Sequence, residues 1–74
     1  MILGFYRKNK LWDKKDVDFV YPRDDELICS YSTYETFDRP FVGDLVILGE
    51  RLYKVFKTMV DYDNKEIYII VEEL

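Results

Sequence analysis

The seventy-four-residue sequence predicts an all-β fold, a small antiparallel barrel or strongly curled sheet of five to six strands. Its C-terminal third predicts a three-stranded meander. Three observations carry this. Gly49-Glu50 and Asp63-Asn64 stand between apolar runs, where two-residue turns need positive φ. The apolar residues alternate with a period of two nearly throughout, and no long stretch has helical spacing. The apolar phase of the segment after Arg51 switches near Val55-Phe56, as a bulge or corner requires.

The elements follow in order. Ile2 to Arg7 reads as a strand, with Leu3 and Phe5 on one face and Ile2, Gly4 and Tyr6 on the other. Gly4 inside it implies a bulge or a close backbone approach. Lys8-Asn9-Lys10 reads as a hairpin turn, and Leu11-Trp12 as the start of a returning strand. Asp13 to Asp16 is a charged loop tip. Val17, Phe19 and Tyr21 alternate with Asp16, Asp18 and Val20, which predicts a half-buried strand ended by Pro22. After a polar link at Arg23–Glu26, Leu27, Cys29 and Tyr31 alternate with Ile28, Ser30 and Ser32. Cys29 is then a small core residue. In the 33–40 stretch Tyr34 and Phe37 are spaced for one helical turn, too short to stand alone. Leu45 to Leu48, apolar on both faces, predicts a covered strand. In the final strand Ile67, Ile69 and Val71 face one way, and Tyr68, Ile70 and Glu72 the other. Glu72-Glu73 is expected to protect a sheet edge with charge.

Pro40-Phe-Val-Gly-Asp-Leu-Val-Ile-Leu-Gly-Glu-Arg-Leu-Tyr-Lys-Val55 resembles the opening of SH3-like small barrels. It is also similar to short proteins of bacteriophages and mobile elements. The resemblance spans under half the chain and rests on turn residues, so it implies a fold and an origin but no functional residues. An OB-like barrel is the alternative architecture, although one usually needs a longer chain.

Length and composition bound the function. A chain this short forms one domain, residues 1–74, and buries a modest core. Small domains often add disulfides, metals or a partner. With one cysteine and no histidine, neither a disulfide nor a usual zinc site is expected, and no cofactor signature is present. The formal charge of −4 disfavours duplex DNA and anionic lipid. No leader is expected in Met1–Arg7, no apolar run matches a membrane span, and one unpaired thiol suits the cytoplasm.

Catalysis is not expected. The common base, histidine, is missing, and Cys29 has no neighbouring cation in sequence to stabilise a thiolate. The carboxylates group as Asp13, Asp16 and Asp18, as Asp24, Asp25 and Glu26, and as Asp61, Asp63 and Glu66, all in turns that water solvates. Asp61, Asp63 and Glu72 echo the spacing of a calcium loop. Lys65 occupies a ligand position there, Glu66 replaces the required glycine, and a strand follows.

Two binding classes remain. Seven tyrosines, five phenylalanines and one tryptophan exceed what a small barrel hides, which points to a protein-interaction surface. The contact candidates are Trp12, Tyr21, Tyr34, Phe37, Tyr62 and Tyr68. The partner is another protein, of a host or a virus, or a second copy of this chain. A structural subunit and an inhibitor of a host protein both fit. The alternative is a single-stranded nucleic-acid binder that uses Lys8, Lys10, Trp12, Lys14 and Lys15, with Trp12 as the stacking platform.

Overall fold

A computed structural model describes residues 1–16, 19–32 and 39–74. Five strands form one sheet: β1 (Ile2–Arg7), β2 (Leu27–Ser32), β3 (Leu45–Leu48), β4 (Arg51–Asp61) and β5 (Glu66–Glu73). The strand order is β2-β1-β5-β4-β3, and the sheet curls into a nearly closed barrel. The meander β3-β4-β5 is antiparallel as expected. One seam departs from the antiparallel expectation. β1 pairs with β5 in parallel, Leu3 opposite Ile67 and Arg7 opposite Val71. This seam makes β5 the central strand rather than an edge. Glu72 and Glu73 are paired along β4 instead of guarding an edge: Lys54 lies opposite Glu72, and Arg51 bonds Glu73 at 3.0 Å.

The central strand is buried on both faces. Leu3, Phe5, Leu48, Tyr53, Val55, Ile69 and Val71 fill the barrel interior. On the outer face Tyr68 and Ile70 form a second cluster with Trp12 and Val20, joined by Tyr6, Phe56 and Met59. Two irregularities reconcile these layers with the sequence. In β4, Val55 faces Val71 and Lys57 faces Ile70, so Phe56 is the inserted residue of a bulge. Tyr53 and Val55 therefore point inward while Phe56 joins the outer cluster, where the apolar phase switches. In β2, Cys29 faces Phe5 and Leu27 faces Tyr6, which leaves Ile28 as the extra residue. Both Ile28 and Cys29 then pack against the interior cluster.

The two C-terminal turns use different chemistry. Gly49 and Glu50 have φ of +56° and +67°, the geometry of a two-residue mirror-image turn between paired Leu48 and Arg51. The second loop is longer than the Asp63-Asn64 pair predicted. Asp61 pairs with Glu66, four residues lie between them, and positive φ falls on Lys65 (+55°). Asp61 organises this loop by accepting hydrogen bonds from the backbone N–H of Asp63 and of Asn64, both at 3.1 Å, and from Asn64 Nδ2 at 2.9 Å.

The long β1–β2 connection differs most from the sequence reading. Lys10–Asp13 is a 3₁₀ turn, not a returning strand, capped by Asn9 Oδ1, which accepts from the Leu11 N–H at 2.8 Å. Asn9 Nδ2 also donates to Glu26 at 2.7 Å, tying this turn to a second one at Asp24–Glu26. Residues 19–22 pair with no strand, yet they keep the predicted alternation in the opposite phase. Val20 and Pro22 are buried, and Phe19 and Tyr21 are exposed. The compact Val20 packs into the outer cluster, while the two bulky rings pack on each other outside it. β3 also departs from expectation. It is an edge strand, with Leu45 and Ile47 turned to solvent and Leu48 buried.

Candidate functional site

The outer cluster supports a groove of about 410 Å³. The β4–β5 hairpin supplies Met59, Val60, Asp61, Tyr62 and Asp63 with Tyr68, and the 19–21 segment supplies Phe19 and Tyr21. The hairpin register explains the first set, because Met59 lies directly opposite Tyr68. The second set is there because buried Val20 anchors its segment over Tyr68 and Ile70.

The aromatic floor is a continuous series of tilted or edge-to-face contacts. Ring centroids lie 5.6 Å apart for Tyr6 and Tyr68, 5.9 Å for Tyr68 and Tyr21, and 5.8 Å for Tyr21 and Phe19. Gly4 makes the first contact geometrically accessible. A Cβ there would stand 2.7 Å from Tyr6 Cε1, so glycine lets that ring lie over the strand. The Tyr21 and Tyr68 hydroxyls are 3.3 Å apart, and either can donate. Burial, the Tyr21 hydroxyl and then the Glu66 carboxylate push the Tyr68 phenol well above its ordinary pKa. It therefore remains protonated at physiological pH. On the same lining, the hydrogen bonds from the Asn64 backbone and side chain hold the Asp61 carboxyl below the usual aspartate range.

The structure separates the contact candidates. Tyr21 and Tyr62 are exposed, Tyr62 at 79%, and both line the groove. Tyr68 reaches the same groove but is only 5% exposed, so it is a floor residue of the core rather than a surface contact. Trp12, at 7%, is also core: it packs edge-on against Phe56 at 6.0 Å under the Lys57 ammonium. Its helical-type turn, which the sequence reading missed, folds the indole back onto the sheet. Tyr34 and Phe37 lie outside the described residues. Phe19, Asp61 and Asp63 line the groove in addition to the contact candidates. The signal for the hairpin residues was present in the sequence, since pairing across the last turn sets residues 59–63 beside Tyr68.

The lysine-rich alternative is not assembled into one surface. Lys8 bonds Asp13 at 2.6 Å, lies 3.6 Å from Glu72, and sits 4.5 Å from the Phe56 ring centroid. The Asp13 partner raises its pKa above the ordinary lysine value. Lys10, Lys14 and Lys15 are exposed, but Trp12, the intended stacking platform, is buried. The cleft beside Lys8 and Lys10 is also lined by Asp13, Glu72 and Glu73, which cancel its positive charge.

A second hollow, about 580 Å³, marks the open seam of the barrel between Phe5 and Tyr31 on one side and Val46, Ile47 and Leu48 on the other. Among the described residues no group of three metal-ligating side chains comes together, and no helix is long and apolar enough to cross a membrane.

The chain matches no family model, no curated protein and no solved structure. The Pro40–Val55 resemblance therefore reduces to architecture, a small and nearly closed five-stranded barrel.

Proposed function

We propose that this chain is a non-enzymatic protein-interaction module that seats a partner protein on the aromatic groove between residues 19–21 and the β4–β5 loop. One observation carries the reading: Phe19, Tyr21 and Tyr62 stay exposed while a buried tyrosine floor holds the groove in place. Aromatic side chains give large contact area with few rotatable bonds, so little entropy is lost when a partner covers them. The contacts of Tyr21 with Phe19 and Tyr68 restrict those rings before binding, which reduces the loss further. The role is that of a small cytoplasmic accessory protein of a phage or mobile element, a structural subunit or an inhibitor of a host protein.

The test is selection of short random peptides against the immobilised chain, followed by mapping of their binding site by amide chemical shifts. Shifts centred on Tyr21, Tyr62 and Asp63, and lost in Tyr62→Ala, are the expected result. Shifts confined to the barrel seam, or no selectable binder, would refute the groove as the interface.

A further inference from the structure

We infer that the groove takes an arginine side chain of the partner protein, stacked on the exposed tyrosines and hydrogen-bonded to the acidic loop. The inference rests on the interaction reading above and names the chemistry of the partner at that site.

The groove combines two features that separately favour a cation. Tyr21 and Tyr62 line it and are exposed, and aromatic ring faces attract cations. Asp61 and Asp63 place two carboxylates on the same lining, and no Lys or Arg lines it among the described residues. Asp61 is fixed as an anion by the loop that it organises. The Asp63 carboxylate makes no hydrogen bond or ion pair with the described residues, so its acceptor capacity is open to a ligand. A neutral apolar side chain would cover the Asp63 carboxylate without satisfying it, which is unfavourable. An acidic one would meet like charge.

Arginine fits better than lysine because its planar guanidinium stacks on a ring while its edge N–H groups donate to carboxylate oxygens. Lysine, a strongly hydrated point charge, satisfies only one of the two surfaces at a time. The groove is wider than one side chain, and exposed Phe19 and Tyr62 extend the contact to neighbouring residues of the partner. That extension favours a protein segment over a free small cation.

The test starts from the peptides selected against the chain. An arginine is expected at one constant position. Replacing it by citrulline, which keeps shape and removes charge, should weaken binding about five-fold at low salt. Replacement by lysine should weaken it by a smaller factor. Asp63→Asn should reproduce the loss for the arginine peptide and leave the citrulline peptide unchanged, with an unaltered amide spectrum showing that the fold is intact. Equal binding of the arginine and citrulline peptides would overturn the cation and leave the interaction module standing. Groove shifts from free argininamide as strong as those from the peptide would overturn the protein segment as occupant. An absence of any peptide that shifts the Tyr21 and Tyr62 signals would remove the interaction reading itself.

Discussion

Leu45-Val-Ile-Leu48 and Ile67-Tyr-Ile-Ile-Val71 are nearly the same kind of sequence, yet they meet opposite fates. The second run lies in β5, between β1 and β4, and Tyr68 to Val71 are buried on both faces. The first lies in β3 at the sheet edge, with Ile47 exposed at 74%. Apolar composition thus marks a strand without saying how much of it is covered. Coverage comes from position in the sheet and from what the connections lay over it. Here the 3₁₀ turn carrying Trp12 and the extended residues 19–22 cover β5, and the barrel seam opens beside β3.

The contrast is sharpest in stability. Ile69→Ala removes buried methylenes from the interior with limited room to relax and should lower unfolding free energy by about 2–5 kcal/mol. Ile47→Ala should change it by about 0.5 kcal/mol or less. Urea titration of both variants measures the difference, and similar losses would mean that β3 is covered in solution.

Gly4→Ala probes the doubly covered region from the neighbouring strand. The added methyl must displace the Tyr6 ring from beneath its contact with Tyr68, so a loss of about 1–3 kcal/mol is expected, again by urea titration. An unchanged midpoint would show that Tyr6 moves freely and that the aromatic floor is loosely held.

On the edge side, Glu50→Gly should stabilise the β3–β4 hairpin by about 0.5–1 kcal/mol, because glutamate there holds a left-handed φ that glycine adopts without strain. Ile47→Lys should leave the unfolding midpoint nearly unchanged and reduce concentration-dependent association in light scattering, since a charged edge resists strand pairing. A rise in association instead would break the picture of an open apolar edge.

The smallest effect concerns acid. The folded-state pKa of Asp61 is depressed, so its contribution to the β4–β5 loop is complete above the usual aspartate range and is lost as pH falls through the folded value. Asp61→Asn should flatten that acid dependence in a series of urea midpoints, and an identical profile would mean that other carboxylates dominate it.

Much of the local architecture was legible. The limits of β1, the start of β4, the face assignment of β5, the bulge at Phe56 and the Gly49-Glu50 turn all follow from short-range patterning. These depend on the period-two alternation of strands and on the φ preferences of a few residues. Of the site, the sequence pointed to Tyr21, Tyr62 and Tyr68 as significant but not to their convergence. Trp12 was misread because a tryptophan after a lysine-rich turn looks the same whether the chain returns as a strand or folds back in a 3₁₀ turn. For residues 19–22 alternation reveals two faces and does not say which one is inward, so the burial of Val20 beneath exposed Phe19 and Tyr21 was not legible.

By itself the sequence determined that this protein is built of short strands, where most of them turn, and that its side chains are rich in aromatics and carboxylates. Only the tertiary structure decided that β1 runs parallel to β5, that β5 is central and β3 an edge, and that residues 19–21 meet the β4–β5 loop. The reason is physical. Turns and alternation are written by neighbours a few residues apart, whereas pairing partners and coverage depend on long-range packing, in which similar apolar runs compete and the arrangement burying the most surface prevails.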